Sequence, residues 1–497
     1  MSAIATHLPA LQVVAPLLSA PACALLVKPR AAWALTVAVS VFAFICSVLL
    51  LGRVLDEGVI VYELGGWPAP WGIEYRLDVL NTFMAVMVSG ISALSSAYAR
   101  HSIEREIEDD RIYLVYTAWL LCLTGSLGIL VTGDAFNLFV FLEIASLSSY
   151  VLVSQGRDRR ALVAAFRYLL LGTVGATFIL IGVGLLYAIT GTLNMADLAL
   201  RIPQAGRHGT LATAFAFIVV GAALKAALLP GHGWLPEAYA RAPSAVSAFL
   251  AGTATKIALY VGLRFAFTVF GPQYLQEHAA AGSLISVLAL AAVLYGSSVA
   301  MFQSNAKLVL AFSSVAQIGF MVLGISWLTS TGLTGGIVHM FNHALMKAAL
   351  FLAVGCVVYR LGRPDVGNFA GLGKRMPWTM AALALSGLSL IGVPLTAGFI
   401  GKWYLLSAAL ERGWWPGAVV IVVSSLMAVV YIGRLLERAY FAEPHEHSLG
   451  ARAREAPVSM LVPLWLLVIA NFWFGIHTEY SLGLAARAAE ALLGVAP

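Results

Sequence analysis

The stretch KAALLPGHGWLPEAYARAPSAVSAFLAGTATKIALYVGLR, residues 225–264, contains the pattern that decides the fold. It is apolar enough to lie in a membrane, yet it holds Lys225 and Lys256, with Pro230 and Pro236 between them. Interior proline removes a backbone hydrogen bond and breaks or kinks a helix. At membrane depth, unpaired backbone is tolerated only beside protein or a wet cavity, and an ionisable side chain costs at least ~2.5 kcal/mol. The stretch therefore predicts a broken membrane helix beside a path for an ion or proton.

The whole chain has the composition of a membrane protein. Of its 497 residues, 60% are hydrophobic and 11% are charged, whereas soluble domains are ~25% charged. The formal charge of +6 is explained by a cytoplasmic excess of Lys and Arg and requires no nucleic acid. No nucleophile triad, phosphate loop, cofactor motif or metal-ligand spacing is present. We therefore expect an all-α polytopic membrane protein that is not an enzyme by itself and has no cofactor or metal.

A spanning helix needs about 20 apolar residues, and this criterion predicts about 14 transmembrane helices. The first lacks a basic leader and a cleavage site, which favours a retained helix over a signal peptide. We expect breaks in three of them, at 211–241, 332–359 and 378–411. The predicted spans are 8–27, 31–52, 77–99, 112–132, 135–154, 162–190, 211–241, 244–270, 282–303, 306–328, 332–359, 378–411, 416–440 and 457–476.

The distribution of basic residues predicts the orientation. If the N-terminus is outside, 19 of the 30 Lys and Arg residues fall in inside loops and 7 fall outside, the other four being intramembrane lysines. Positive residues concentrate on the cytoplasmic side. We therefore expect both termini outside and an even number of helices.

The broken helices also suggest an internal duplication. Two five-helix units, helices 4–8 in 112–270 and helices 9–13 in 282–440, each have a proline break in the fourth helix. Residues 1–111 precede them with helices 1–3, and residues 457–497 follow with helix 14 and a tail. Broken helices in corresponding positions of two halves indicate a transporter site between inverted repeats.

Glu143 and Lys225 are the first candidates for that site. Glu143 lies near the middle of its helix, with Ser146 and Tyr150 on the same face. The alternatives are a protonated carboxyl satisfied by local hydroxyls and a lysine that snorkels to an interface. A buried Lys–Glu pair can hold a proton in contact and release it when separated.

Four more candidates follow along the chain. Lys256 has few membrane carboxylates to pair with, which disfavours a purely structural role. His339, His343 and Lys347 are spaced i, i+4 and i+8, which places them on one stripe. Two histidines at this spacing could bind zinc, but no third ligand is present, so a proton relay is favoured. Lys347 could instead be a packing or interface residue.

Lys402 follows the break at Pro394, and it could snorkel to the outer surface towards Glu411. His232 and Glu237 lie in the second half of the first broken helix. These two could line an opening to the path or cap a half-helix at the surface.

Several long motifs resemble the proton-conducting antiporter-like family. That family includes large membrane subunits of respiratory complex I, of membrane-bound hydrogenases and of Mrp multisubunit Na⁺/H⁺ antiporters. The similarity extends over nearly the whole chain, and residues 65–73 and 398–403 look most like the D-type component of an Mrp antiporter. It is carried by residues 225–264 and by GGWPAPWGIEYRLDVLNTFMAVMVSG (65–90), FNLFVFLEIASLSSYVLV (136–153), AKLVLAFSSVAQIGFM (306–321), HMFNHALMKAALFLAVG (339–355) and GFIGKW (398–403).

The resemblance implies fourteen helices with two inverted five-helix repeats, and it implies site roles. Glu143 would pair with Lys225, and Lys256 would link the two half-channels. His339 and His343 would form the central relay. Lys402 would exchange protons with the outer side.

It further implies a bacterial inner-membrane complex that exchanges protons and Na⁺, in contact with lipid and with large A-type and small partner subunits. An antiporter-like pumping subunit of a complex I-like or hydrogenase-linked complex stays open as an alternative. A structural subunit that carries no ions is a second alternative.

Overall fold

The computed structural model describes residues 3–206, 208–443 and 453–494. Two arginines of the charge count lie outside the described residues, Arg207 and Arg452. Residues 495–497 of the last predicted unit also lie outside them. Twenty α-helices and one hairpin make up the described chain: α1 Ala3–Leu26, α2 Pro29–Glu57, β1 Ile60–Glu63, β2 Glu74–Leu77, α3 Val79–Glu106, α4 Ile112–Val131, α5 Ala135–Ser154, α6 Arg160–Thr190, α7 Met195–Arg201, α8 His208–Lys225, α9 Leu235–Arg241, α10 Ser244–Leu263, α11 Gly271–Glu277, α12 Ala279–Phe302, α13 Ala306–Ser326, α14 Ser330–Leu361, α15 Leu372–Arg375, α16 Pro377–Ile391, α17 Ala397–Glu411, α18 Trp415–Phe441, α19 Val458–Ile476 and α20 Thr478–Leu493.

The predicted polytopic helical fold is confirmed. Thirteen helices within the described ranges are long and apolar enough to cross a membrane. Each predicted span overlaps one of these helices, except 378–411, which holds α16 and α17, of 15 residues each. The hairpin β1–β2 is antiparallel, with Ile60 opposite Leu77.

Both proline-containing breaks are present. In the first, α8 ends at Lys225 and a 3₁₀ turn over Gly231–Trp234 leads into α9. In the second, the chain between α16 and α17 is non-helical. Each break contains a non-glycine residue with positive φ, Ala227 at 58° and Leu395 at 70°, a conformation that disfavours continued helix.

The break predicted within 332–359 is wrong, because α14 is one continuous helix of 32 residues. Its glycines serve close packing instead. A Cβ at Gly335 would lie 3.2 Å from the backbone nitrogen of Leu405 on α17, and one at Gly336 would lie 3.0 Å from the Met321 carbonyl on α13. Small residues let membrane helices approach closely. Neighbouring helices therefore stabilise α14 although its sequence is glycine-rich.

Helix α14 is the axis of the bundle. It packs against α3, α10, α13, α16, α17, α19 and α20, and nearly all its residues are buried. In the outer helices, well under half of the residues in the most apolar stretch are buried; these helices are α2, α6, α8, α12 and α18. Their apolar outer faces form the surface of the bundle, and the polar residues of α14 lie at its centre.

Candidate functional site

Glu143 on α5 and Lys225 on α8 lie together. The Glu143 Oε1 atom is 3.8 Å from the Lys225 Nζ atom, a distance that allows an ion pair but exceeds a hydrogen bond. Lys225 instead donates to Ser146 Oγ at 2.5 Å. The Lys225 side chain is 8% exposed and that of Glu143 is 27% exposed. The carboxylate is therefore close enough to attract the ammonium group, without a bond that fixes it.

The break beside Lys225 is held by a tryptophan. Trp234 donates its indole N–H to the Leu224 carbonyl at 3.0 Å, which also accepts from the Ala227 N–H at 3.1 Å where α8 ends. The indole stacks on Tyr168 with ring centroids 4.0 Å apart. Pro230 has no N–H with which to continue the helix. These contacts fix the end of α8, and therefore the backbone position of Lys225.

A small polar cavity extends from Lys225 towards α10. Its volume is about 40 Å³, and its lining includes hydroxyls of Ser146, Ser149 and Thr253. A water needs about 10–15 Å³ measured in this way, with polar partners. The cavity is therefore large enough for about three waters. Its lining on α10 extends from Thr253 to Val261 and includes residues on both sides of Lys256, but not Lys256 itself.

Lys256 is fully buried, and its ammonium group donates to the Ala251 carbonyl of its own helix. Among the described residues, no carboxylate lies within 4.0 Å of it. Helix α10, which carries Lys256, lines the Lys225 cavity and packs against the central helix α14. An ion pair with another helix, the structural alternative, is not formed.

His339 and His343 lie on one face of α14, with ring centroids 6.2 Å apart. His339 Nε2 donates to Gln317 Oε1 on α13 at 2.8 Å. Within the described chain, neither ring nitrogen of His343 has a protein partner, although both are buried. Among those same residues, no three His, Cys, Asp or Glu side chains converge as metal ligands. Three of the four ring nitrogens of the pair, His339 Nδ1 and both of His343, thus lack a hydrogen-bond partner within the described residues.

Lys347, one turn beyond His343, is fully buried. It donates to the Leu310 carbonyl at 2.7 Å and to Ser313 Oγ, both on α13. This position lies inside the bundle, so Lys347 is not an interface residue.

Lys402 caps the half-helix that precedes its own. Its ammonium group donates to the carbonyls of Leu390 at 2.9 Å and Ile391 at 2.8 Å, where α16 ends. It also donates to Ser425 Oγ at 3.2 Å. Lys402 is 6% exposed, so it does not snorkel to the surface. A cation at a helix C-terminus is favoured by the helix dipole.

An aromatic ring and a glycine bring Lys402 close to His339. The Lys402 Nζ atom lies 5.4 Å from the Phe320 ring centroid, and that centroid is 6.0 Å from the His339 ring. A Cβ at Gly401 would collide with the His339 imidazole. The absence of a side chain at Gly401 therefore permits this approach.

The two accessory candidates lie apart from these residues. Glu237 accepts from Arg241 Nε at 2.9 Å, in a partly exposed pair that extends to Asp158. The His232 ring packs edge-on against Tyr295, 4.8 Å between centroids. Neither forms a hydrogen bond or ion pair with the central residues of the described chain.

Three contributing side chains escaped the sequence-based predictions. Ser313 and Gln317 are spaced i, i+4 on α13 and bind Lys347 and His339. Polar residues at helical spacing in an otherwise apolar span were the available signal. Lys307, one of the 19 basic residues counted in inside loops, is 3% exposed and donates to the Ala242 carbonyl at 2.9 Å. No local pattern distinguishes it from a loop lysine.

Comparison with known proteins places this arrangement in context. The family profile described as NADH:quinone oxidoreductase/Mrp antiporter, TM, matches residues 132–428. The N-type component of the NADH-quinone oxidoreductase of Desulforudis audaxviator is 40% identical, covering 95% of this chain and 96% of that protein. The D-type component of the Na⁺/H⁺ antiporter of Alkalihalophilus pseudofirmus is 31% identical over 88% of each chain. A chain in the Mrp complex structure from a Dietzia species superposes with TM-score 0.89 at 28% identity, over 99% of this chain and 98% of that one.

Proposed function

Since the chain belongs to the NADH:quinone oxidoreductase/Mrp antiporter transmembrane family, we propose that it is the proton-conducting D-type subunit of a multisubunit monovalent cation/proton antiporter. The relatives named as D-type components of Na⁺/H⁺ antiporters match along most of the chain. The structural similarity to a chain of an Mrp complex extends over nearly its full length. Other antiporter subunits, large and small, are the expected partners.

One observation supports the proposal: buried and partly buried titratable side chains lie in the bundle between the two helix breaks. The row begins at the Glu143–Lys225 pair, and the cavity beside Lys225 reaches the α10 residues next to Lys256 in sequence. His343 and His339 follow on α14, and the Phe320 ring lies between His339 and Lys402. Ionisable groups at such depth mark ion paths by default. Protons would move along this row, with water bridging the gap that the cavity spans.

In this proposal Glu143 acts as the switch. Contact with Glu143 stabilises the protonated Lys225 by Coulomb attraction, and separation removes that stabilisation. The ammonium group already bonds Ser146 rather than the carboxylate, so a rotamer change of Glu143 alters the ion pair while Ser146, on the same helix, keeps its hydrogen bond. Lys347 would support the row by bonding α14 to Leu310 and Ser313 of α13, with no separate transfer step assigned to it.

The chain is a multi-pass membrane protein, and we further propose that it lies in the bacterial inner membrane with both termini outside. The excess of Lys and Arg in alternate loops supports this orientation.

A second candidate function is the same conduction within a redox-linked complex. The relative named as the N-type component of an NADH-quinone oxidoreductase, at 40% identity, favours it. Purification of the assembled complex from native membranes decides between the two. Co-purification of small antiporter subunits supports the antiporter, whereas co-purifying iron–sulfur proteins support the redox-linked complex.

The path itself is tested by Lys225→Ala in the assembled complex, reconstituted in vesicles that contain a pH-sensitive dye. We expect cation-driven proton flux to be lost. Lys28→Ala, at an exposed lysine between α1 and α2, is the matched control and should transport normally. Normal flux in Lys225→Ala would end the proposal and favour a structural subunit that carries no ions.

A further inference from the structure

A large apolar groove lies beside the first helix break, on the side away from the polar cavity. Its volume is about 430 Å³, within the ~300–1,000 Å³ range of ligand sites. Its walls are α8, the break, α10, α11, α12 and α13. Val220 on α8 and Leu284 on α12 line it and are 45% and 62% exposed. Both helices meet the criteria for membrane spans, so the groove opens towards hydrocarbon.

The chemistry of the lining restricts the occupant. Apart from His278 and Ser326, every lining residue is apolar. Ser326 shares a hydrogen bond with Ser286 at 2.7 Å, and His278 with the Tyr274 carbonyl at 2.9 Å. These two residues lie at one end of the groove, where α13 ends and α12 begins. No unpaired polar group in this lining calls for a polar ligand, so the occupant is an alkyl chain with its polar end towards these residues.

The length of the groove matches one leaflet. Along α8 the lining extends from Phe215 to Leu224, which at 1.5 Å per residue is ~14 Å. Half of a bilayer's hydrocarbon core is ~15 Å. The groove thus extends from the break, at mid-membrane, to the start of α12. In the proposed orientation that end faces the outer leaflet.

We propose that the acyl chain of an outer-leaflet phospholipid occupies this groove and packs its terminal carbons against Leu228, Leu229 and Pro230. The break is bounded on the protein side by Trp234. The acyl chain supplies the opposite wall and limits the movement of the segment that follows Lys225. The site stands independently of transport, and only its influence on flux rests on the proposed function.

Photolabelling of the assembled complex tests the site. Two phosphatidylglycerol analogues are used, one with a diazirine at the end of the acyl chain and one with a diazirine next to the ester. After irradiation, peptide mass spectrometry locates the adducts. We expect the terminal probe to label the segment from Leu224 to Gly231, and the ester-side probe to label α11 and the start of α12.

Two matched variants complete the test. Ala281 lines the groove near its polar end, whereas its exposed neighbour Ala280 does not. Ala281→Trp should reduce labelling of the break to the level of the exposed faces of α6, and it should speed amide hydrogen exchange at residues 226–229. Ala280→Trp should change neither. Labelling of α6 is the internal control for folding, and Ala216→Phe blocks the groove from α8 should Ala281→Trp misfold.

Three results would overturn the proposal: uniform labelling of all exposed apolar faces, labelling of the break by the ester-side probe, or unchanged labelling in both groove variants. A complex that binds the probes as expected but conducts no protons would contradict the proposed function and leave the lipid site intact.

Discussion

Replacement of Glu143 by Gln and by Asp tests the proposed switch quantitatively. At the observed 3.8 Å, Coulomb attraction to Lys225 is ~4 kcal/mol for an effective dielectric constant of 20. Moving one charge against 100 mV takes ~2.3 kcal/mol. The pair is therefore strong enough to retain a proton on Lys225 against an ordinary membrane potential.

The two substitutions separate charge from distance. Glu143→Gln removes the charge and with it the ~4 kcal/mol. Glu143→Asp keeps the charge but shortens the side chain by one C–C bond of ~1.5 Å. At the resulting ~5.3 Å the attraction is ~3 kcal/mol, still above the ~2.3 kcal/mol threshold. We expect Glu143→Gln to lose coupled proton flux and Glu143→Asp to retain part of it.

The assay uses vesicles that hold the assembled complex, a valinomycin-imposed potassium diffusion potential and an internal pH dye. Cation-driven proton flux is recorded at increasing potential. Glu143→Asp should fail at a lower potential than the native complex. Glu411→Gln, at an exposed glutamate on α17, serves as the control. Native flux in Glu143→Gln, or equal loss in Gln and Asp, would refute the electrostatic switch.

Three further changes address the rest of the bundle. Gly401→Ala should reduce flux by about tenfold or more, because the new methyl group displaces the His339 imidazole and small misplacements are costly; vesicle flux measures it. Gln317→Leu leaves the His339 N–H without its acceptor, so flux should fall and the variant should unfold ~1–3 kcal/mol more easily in detergent. Burial alone would raise the pKa of Asp78, but the Arg264 guanidinium holds that pKa below its usual value. Asp78→Asn should therefore cost ~3 kcal/mol at neutral pH and remove the acid-dependent loss of stability in thermal unfolding.

The acid sensitivity at Asp78 follows from the difference between its folded and unfolded pKa. Because the Asp78 carboxyl has a lower pKa in the folded chain, its contribution to the free energy of unfolding is fully present above pH ~3.9, the pKa of an unperturbed Asp. That contribution disappears as the pH falls through the pKa of the folded state. Each variant has a control with the same chemical change elsewhere in the chain. Gly433→Ala controls for Gly401→Ala, because a Cβ at Gly433 meets nothing within 4 Å. Gln303→Leu controls for Gln317→Leu, and Asp56→Asn controls for Asp78→Asn. Native flux in Gly401→Ala would contradict the role of the Gly401–His339 contact, and native flux in Gln317→Leu that of the Gln317–His339 hydrogen bond. Native stability in Asp78→Asn would contradict the contribution of the Asp78–Arg264 ion pair.

Local chemistry explains which parts of the fold were predictable. Interior proline removes a helical hydrogen bond, and the breaks at Pro230 and Pro394 were predicted from it. Proline alone is not decisive, because α1 continues through Pro9, Pro16 and Pro21 and α19 through Pro463. Glycine only weakens a helix, and its effect depends on neighbours. The glycines of α14 allow α13 and α17 to approach, which is why the break predicted from them was wrong.

The partners of the buried charges were less predictable, because they come from distant parts of the chain. Lys402 binds carbonyls at the end of α16 and a serine on α18. His339 binds Gln317 on α13. Spacing within one helix identifies a polar face, but it does not say which helix meets that face. The burial of Lys307 likewise follows from tertiary packing on α9.

The two breaks use their lysines differently, and under the proposed function this difference bears on the coupling step. Lys225 precedes its break, and its counter-charge is the Glu143 side chain on another helix. Lys402 follows its break and binds the carbonyls of Leu390 and Ile391, which carry the fixed partial negative charge of a helix C-terminus. A side chain can move away by a rotamer change, whereas those carbonyls can move only if the half-helices separate. We therefore infer that a small movement gates the proton at Lys225, and that release at Lys402 requires the α16–α17 break itself to open.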